Sequence, residues 1–219
     1  MENDTENSAR IANKYMHKLH PWHGLSLGPK APEIVNCYIE IVPTDTVKYE
    51  LDKESGLLKV DRPQKYSSLC PMLYGMLPRT YAGDRVAEYC MKKTGISNLV
   101  GDGDPLDICV LTENTIVRGD VILNAIPIGG FRLLDRGQVD DKIIGVMVDD
   151  LVFGDMLTMD RIPPALIQRL RHYFMTYKSG PDATTSHVEI AAIYDKQEAQ
   201  EIINLGCADY RELMLSGTL

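Results

Sequence analysis

Short segments in the middle of the chain combine β-branched residues with the alternation of apolar and polar positions that half-buried strands show. Residues 34–42 form the first such segment, and residues 47–51 and 57–60 flank a polar turn and so predict a hairpin. Strands are also predicted over residues 106–111, 120–128, 142–148 and 188–194. We therefore expect the middle of the chain to form a sheet.

Apolar residues occur at helical spacing near both ends of the chain. Ile11, Tyr15 and Leu19 predict a short amphipathic helix over about residues 8–19. A second predicted helix begins at Pro163-Pro164, where proline is favoured in the first turn. Its apolar face consists of Leu166, Ile167, Leu170, Phe174 and Tyr177.

The last predicted helix begins after Asp195, which forms with Glu198 the spacing of a capping box. Its apolar stripe consists of Ala199, Ile202, Ile203, Tyr210 and Leu213. Residues 80–100 show little periodicity, and we expect a surface excursion there. The predicted strands come early in the sequence, and the predicted helices come late and at the N-terminus. This order predicts an α+β protein with a mostly antiparallel sheet or a small barrel.

Length, net charge and hydropathy limit the number of domains and the kinds of partner that we expect. At 219 residues we expect a single domain spanning 1–219, with residues 1–25 as an N-terminal helical extension. The net charge of -8 argues against nucleic-acid binding, which requires a basic face. No apolar stretch is long enough to span a bilayer, so we expect no membrane association. The N-terminus is polar and acidic, unlike a secretory signal.

The cysteines indicate a reducing compartment. The five of them are scattered, odd in number and without a CxxC pair, so we interpret them as reduced thiols of a cytoplasmic protein. Zinc or disulfides are not expected from this pattern.

Three aspartates lie within the six residues 102–107, at Asp102, Asp104 and Asp107. Such a run is typical of a site for Mg²⁺ with a phosphorylated substrate, of a calcium loop, or of a solvated acidic turn. The calcium interpretation fits poorly, because an EF-hand would need an oxygen ligand where Leu106 stands and glycine where Asp107 stands.

A second acidic loop favours a metal site over a solvated turn. Residues 135–142 contain Asp135, Asp140, Asp141 and Lys142 between two predicted strands, so both acidic loops lie at strand ends and can converge on one pocket. Mg²⁺ ions there would clamp a phosphate and lower the pKa of a bound water. Candidate phosphate-binding cations are Lys48, Arg62, Lys142 and Lys178, each of which is individually compatible with an ordinary exposed position.

The run Asp102-Gly103-Asp104-Pro105-Leu106-Asp107 resembles the signature of the soluble inorganic pyrophosphatases of the first structural family. Other segments recur in the order found in that family, over about residues 34–178. They are 39–41, 48–50, 53–56, 60–62, Pro71 with 74–75, Asp135 with Asp140 and Lys142, and 177–178. Relative to shorter bacterial members, residues 84–100 form a surface insertion.

The resemblance implies a five-stranded, OB-like barrel flanked by helices, which hydrolyses pyrophosphate to two orthophosphates with several Mg²⁺ ions. It implies that Asp102, Asp107, Asp135 and Asp140 bind metal, with Glu50 contributing through metal-bound water. Asp104 matches the residue that accepts a proton from the attacking water, and Glu40 and Tyr74 match supporting catalytic positions. The residues that match substrate-binding groups are Lys48, Arg62, Lys142, Tyr177 and Lys178.

Two other functions are alternatives to pyrophosphate hydrolysis. One is a pseudoenzyme that binds a phosphorylated ligand or metal without turnover, which the complete set of carboxylates disfavours. The other is an OB-type nucleic-acid binder, which would need a basic groove with exposed aromatic residues. The resemblance also implies a homo-oligomer, and we favour a hexamer over a dimer.

Overall fold

The computed structural model describes residues 18–65, 67–178 and 187–217. The strands are β1 (Val35–Ile41), β2 (Val47–Leu51), β3 (Leu58–Pro63), β4 (Leu73–Met76), β5 (Val100–Gly101), β6 (Asp107–Leu111), β7 (Val121–Asp135), β8 (Gln138–Val139), β9 (Lys142–Met147) and β10 (Val188–Asp195). The α-helices are α1 (Asp84–Thr94), α2 (Pro164–Thr176) and α3 (Lys196–Ser216), and a short 3-10 helix covers Met159–Arg161.

Five strands follow one another around a partial ring. β1 pairs with β4, β4 with β6, β6 with β9, β9 with β7, and β7 again with β1. Within this ring only the β6–β9 pair is parallel. β10 extends the sheet by pairing with the second half of β7, and β2 with β3 forms a separate hairpin. The α+β class with a mostly antiparallel sheet is confirmed.

The helices cover the sheet from two sides, each over its own apolar cluster. The buried residues of α1 and α3, among them Val86, Ile202 and Ile203, pack with β1 and β6 residues in one cluster. Leu170 and Phe174 of α2 pack in a second cluster, which includes Phe131 of β7. The apolar faces of α2 and α3, which the sequence spacing predicted, are buried in these clusters, and burial of apolar surface stabilises the fold.

The predicted strands and late helices are confirmed, with shifts at their ends. The largest shift concerns the strand predicted over 120–128, which continues as β7 to Asp135. Its second half is almost entirely buried, and so it lacks the alternation that marks a strand with one solvated face. The predicted capping box forms in part, since the Asp195 side chain accepts the Glu198 N–H at 3.0 Å.

The surface excursion expected over residues 80–100 is a wrong prediction. Residues 84–94 form α1, and its buried face contacts the core through Val86, Ala87 and Cys90. The helix lacks a capping side chain of its own, because its N-cap is Gly83. Instead the Asp209 carboxylate of α3 accepts the N–H groups of Gly83, Arg85 and Val86 at 3.1–3.2 Å.

The helix predicted over residues 8–19 lies outside the described residues except at its end, where Lys18 and Leu19 are not helical. Residues 21–25 of the expected 1–25 extension form a turn anchored by Trp22. This side chain is 1% exposed, and its Nε1 donates to the Thr80 carbonyl at 2.8 Å. Because the indole is buried, this segment is part of the core and not an appended helix.

Gly75 lets β4 approach β1 closely. A Cβ on this residue would lie 1.9 Å from the Tyr38 carbonyl oxygen. No side chain fits there, so β4 can pair with β1 at this distance only with glycine at position 75.

None of the helices in the described ranges is both long and apolar enough to cross a bilayer.

We predict that Asp195→Ala lowers the free energy of unfolding by about 1 kcal/mol, because the first turn of α3 loses its cap. Urea denaturation followed by circular dichroism measures the change. Asp195→Asn keeps an acceptor at this position and is the matched control. An equal loss in both variants would contradict a capping role.

Candidate active site

The thirteen site residues predicted from the sequence all line one cavity of about 280 Å³. They come from both acidic loops, the β2–β3 hairpin, β1, β4 and the end of α2. Asp102 and Asp135, which are distant in sequence, lie on this same cavity. The expected convergence of the two acidic loops is therefore confirmed.

Strand register brings the acidic loops together. Asp107 is the first residue of β6 and pairs with Lys142, the first residue of β9. Asp107 also pairs with Met76 of β4 on its other side. Asp135 is the last residue of β7, which runs antiparallel to β9. The ends of these strands therefore meet at one rim of the ring.

The turn that contains Asp102 and Asp104 is held by its own hydrogen bonds. Gly103 has a φ of 76°, in the left-handed region that favours glycine. The Asp102 Oδ1 accepts the Asp104 N–H at 3.0 Å, and backbone bonds of 2.8 and 3.2 Å join the turn to Ala82. The signature glycine is thus required by the shape of the turn.

Lys142 is the buried cation of the cavity. Its side chain is almost completely buried, and its Nζ forms short ion pairs with Asp107 and Asp140. Burial alone lowers the pKa of a lysine, but these carboxylates outweigh burial and hold the Lys142 pKa above its ordinary value. Lys142 therefore stays charged and offsets part of the repulsion between the two acidic loops.

The other cations are also paired with acids. The Lys178 Nζ lies 2.6 Å from Asp135, and Lys48 lies 3.4 Å from Glu50, which confirms that residues 48 and 50 share one face of β2. Lys48 and Arg62 both contact Asp61, which fixes them beside each other.

Two acids of the cavity have strongly raised pKa values. Burial, with the charges of Asp140 and Asp107, raises the pKa of Asp102 to about 8, although Lys142 opposes this. Burial and the charge of Asp107 likewise raise the pKa of Glu40 to about 8. The Leu51 N–H, 2.7 Å from the Glu40 Oε1, opposes the shift. The negative charge of the cavity therefore exceeds what its lysines and Arg62 balance.

The donor set suits a hard divalent cation, since carboxylate oxygens are the ligands that Mg²⁺ prefers. The raised pKa of Asp102 indicates a demand for further positive charge. Within the described ranges, however, no three acidic, histidine or cysteine side chains are already grouped as a metal site. Lysine ammonium groups bridge the carboxylates, so metal binding requires that these ion pairs rearrange.

Two further residues belong to the site but were not predicted as site residues. Lys53 lines the cavity, and its Nζ forms an ion pair with Asp104 and lies 3.3 Å from the Gly103 carbonyl. Asp61 orients Lys48 and Arg62. Both residues fall within segments that resemble the family. This location was the only feature of the sequence that could have indicated a place in the site.

A cavity in which seven carboxylates face five lysine or arginine side chains, at one rim of a small ring of strands, suits metal ions together with a polyanion such as a phosphate compound. The fold and the cavity therefore favour the class of metal-dependent phosphate hydrolases. The family model for inorganic pyrophosphatase matches residues 37–211. The chain belongs to the inorganic pyrophosphatase family.

Individual relatives agree with this assignment. An inorganic pyrophosphatase of Chlamydia muridarum is 52% identical over 201 residues, which cover 90% of this chain and 96% of that protein. The crystal structure of inorganic pyrophosphatase from Thermus thermophilus superposes with a TM-score of 0.72 at 28% identity, covering 88% of this chain and 99% of the other. A structure from Neisseria gonorrhoeae gives 0.69 at 26% identity, covering 90% and 98%.

We predict that the metal-free protein becomes less stable as pH rises from about 5 to 8. The folded state holds a proton on Glu40 up to about pH 8, whereas the ordinary pKa is 4.5, so this contribution is complete below pH 4.5 and is lost on the way to pH 8. In Glu40→Gln, the decrease in the free energy of unfolding between pH 5 and 8 should be smaller by roughly 2 kcal/mol.

Urea denaturation in EDTA at pH 5, 6.5 and 8 measures this effect. Glu189→Gln, on an exposed position of β10, is the matched control and should keep the wild-type profile. If Glu40→Gln also kept that profile, Glu40 would not be the group responsible.

Proposed function

We propose that this chain hydrolyses inorganic pyrophosphate to two orthophosphates with several Mg²⁺ ions. Family membership supports the reaction. The proposal for this particular cavity is carried by one observation, which is the convergence of both acidic loops with the cationic side chains. Pyrophosphate is a compact polyanion, so it needs cations on both phosphates before a nucleophile can approach.

Asp102, Asp107, Asp135 and Asp140 are the proposed metal ligands, and Glu50 contributes through water. When bound, Mg²⁺ supplies charge neutralisation of the phosphate oxygens and an acidified water. The support is the type of donor and the raised pKa of Asp102, both of which favour cation binding. The ion pairs of Lys142 and Lys178 with these carboxylates would release as metal and substrate enter.

Asp104 is the proposed base that accepts a proton from the attacking water. It lies in the same cavity as the proposed ligands, and its partner Lys53 offsets its charge at the cavity edge. Glu40 and Tyr74 are proposed supporting catalytic residues. Both line the cavity next to Asp107, and burial raises the pKa of Tyr74 well above its ordinary value, so that its hydroxyl remains a hydrogen-bond donor.

The proposed substrate-binding residues are Lys48, Arg62, Lys142, Tyr177 and Lys178. Arg62 offers a planar pair of donors for bidentate contact with a phosphate, and the lysines offer point charges. Since Asp61 holds Lys48 and Arg62 side by side, these two cations are placed to bind one phosphate together. Charge on the departing phosphate is thereby stabilised.

We also propose that the chain acts as a single catalytic domain in the cytoplasm and as a homo-oligomer, a hexamer in preference to a dimer. The cysteine pattern supports the location, because all five thiols are free. The assembly rests on the family resemblance alone. No nucleic-acid or membrane partner is proposed.

Purified protein is expected to release phosphate from pyrophosphate in a Mg²⁺-dependent manner. A malachite-green assay with Mg²⁺ and with excess EDTA measures this release. Phosphate release that EDTA abolishes and added Mg²⁺ restores is the expected result. Binding of Mg²⁺ and pyrophosphate without any phosphate release would instead show a pseudoenzyme.

Asp104→Asn should lower kcat by roughly 10²-fold or more, because the asparagine cannot accept the proton. The affinity for Mg²⁺, measured by calorimetry, should change little, since Asp104 is not among the proposed ligands. Asp149→Asn, at an exposed position outside the cavity, is the control. Unchanged turnover in Asp104→Asn would remove Asp104 from its proposed role.

A further inference from the structure

A group of charged and aromatic residues, three of them buried and two half-buried, lies behind the second acidic loop. We call Tyr89, Arg132, Asp141, Tyr194 and Glu198 the Arg132 cluster. None of them lines the active-site cavity. They come from α1, β7, the loop before β9, β10 and α3, so the cluster joins the helices to the strands that hold the proposed ligands.

Arg132 is held on several sides. Only 2% of its surface is exposed, and one terminal nitrogen donates to Glu198 at 2.6 Å. The guanidinium lies over the rings of Tyr89 and Tyr194, at 5.6 and 5.3 Å from their centroids. A cation so fixed and so deeply buried projects its charge over a longer distance than an exposed arginine would.

Asp141 faces Arg132 from the acidic loop. Its neighbours Asp140 and Lys142 line the cavity, whereas Asp141 meets Arg132 at 3.9 Å and is 4% exposed. Neither oxygen of Asp141 has a hydrogen bond of normal geometry within the described ranges. The charge of Arg132 favours the ionised form of Asp141 and opposes the rise in pKa that burial causes.

The charges of this region balance only when Asp141 is counted. Glu198 also pairs with Lys93 at 3.1 Å, so it is shared between two cations. Without Asp141, the only carboxylate partner of Arg132 in this cluster would be Glu198, which is shared with Lys93. The uncompensated positive charge would oppose cation binding on the cavity side of that loop.

We propose that Asp141 is a positioning residue for the proposed metal-binding loop. The carboxylate of Asp141 offsets the charge of Arg132, so that this charge does not weaken cation binding at Asp140 in the cavity. This inference rests on the proposed Mg²⁺ site. It concerns a residue outside the cavity, and it assigns Asp141 no contact with substrate or metal.

The test is the affinity for Mg²⁺, measured by isothermal titration calorimetry on the intact chain without substrate. Asp141→Asn keeps the shape of the side chain and removes its charge, and we expect it to weaken Mg²⁺ binding about tenfold. The double variant Asp141→Asn with Arg132→Met removes both charges and should bring the affinity back to within about threefold of wild type. The Mg²⁺ concentration for half-maximal hydrolysis should follow the same order.

A matched control is Asp209→Asn, which alters another buried aspartate with an arginine partner, away from the cavity. It should lower thermal stability by weakening the cap of α1 and leave Mg²⁺ affinity unchanged. A purely structural role for Asp141 would give this same pattern in Asp141→Asn, and that result would overturn the inference.

If the Mg²⁺ affinity of the double variant stayed as low as that of Asp141→Asn, the inference would also be overturned. The loss of affinity would then not depend on the charge of Arg132. If Asp141→Asn fails to fold, Arg132→Met tests the same idea, and it should bind Mg²⁺ at least as tightly as wild type. Weaker binding in Arg132→Met contradicts the inference. Failure of the wild type to bind Mg²⁺ at all would instead reject the proposed function.

Discussion

Mutual repulsion among acidic side chains is the constraint on which the site depends. Seven carboxylates line one small cavity, and they remain together in the folded chain because lysines and an arginine are fixed between them. Lys142 is the central member of this balance, since it contacts both acidic loops from a buried position. The strands of the ring supply the rigidity, as each acidic loop is anchored at the end of a paired strand.

This charge balance assigns two roles to the same side chains. The same carboxylates that would bind a divalent cation are held by lysine side chains, and those same lysines are the proposed ligands of the phosphates. Binding of metal by these carboxylates would require the internal ion pairs of Lys142 and Lys178 to be replaced. Buried ion pairs contribute little net stability, so their exchange costs less than their number implies.

The sequence predicted which side chains share the cavity better than it predicted the secondary structure. Asp102, Asp107, Asp135 and Asp140 could be singled out because two local runs of acidic residues coincide with segments that resemble the family. Helix α1 was missed because its cap comes from Asp209, which is more than one hundred residues away. β4 was missed because four residues are too few to show periodicity.

The pairing of β1 with β7 has a consequence for partial chains. The paired residues of these two strands lie 82 to 90 positions apart in sequence, and the cavity lining runs from Glu40 to Lys178. Contacts between residues so far apart in sequence slow folding relative to local contacts. A fragment that lacks either end of this range also lacks part of the cavity lining.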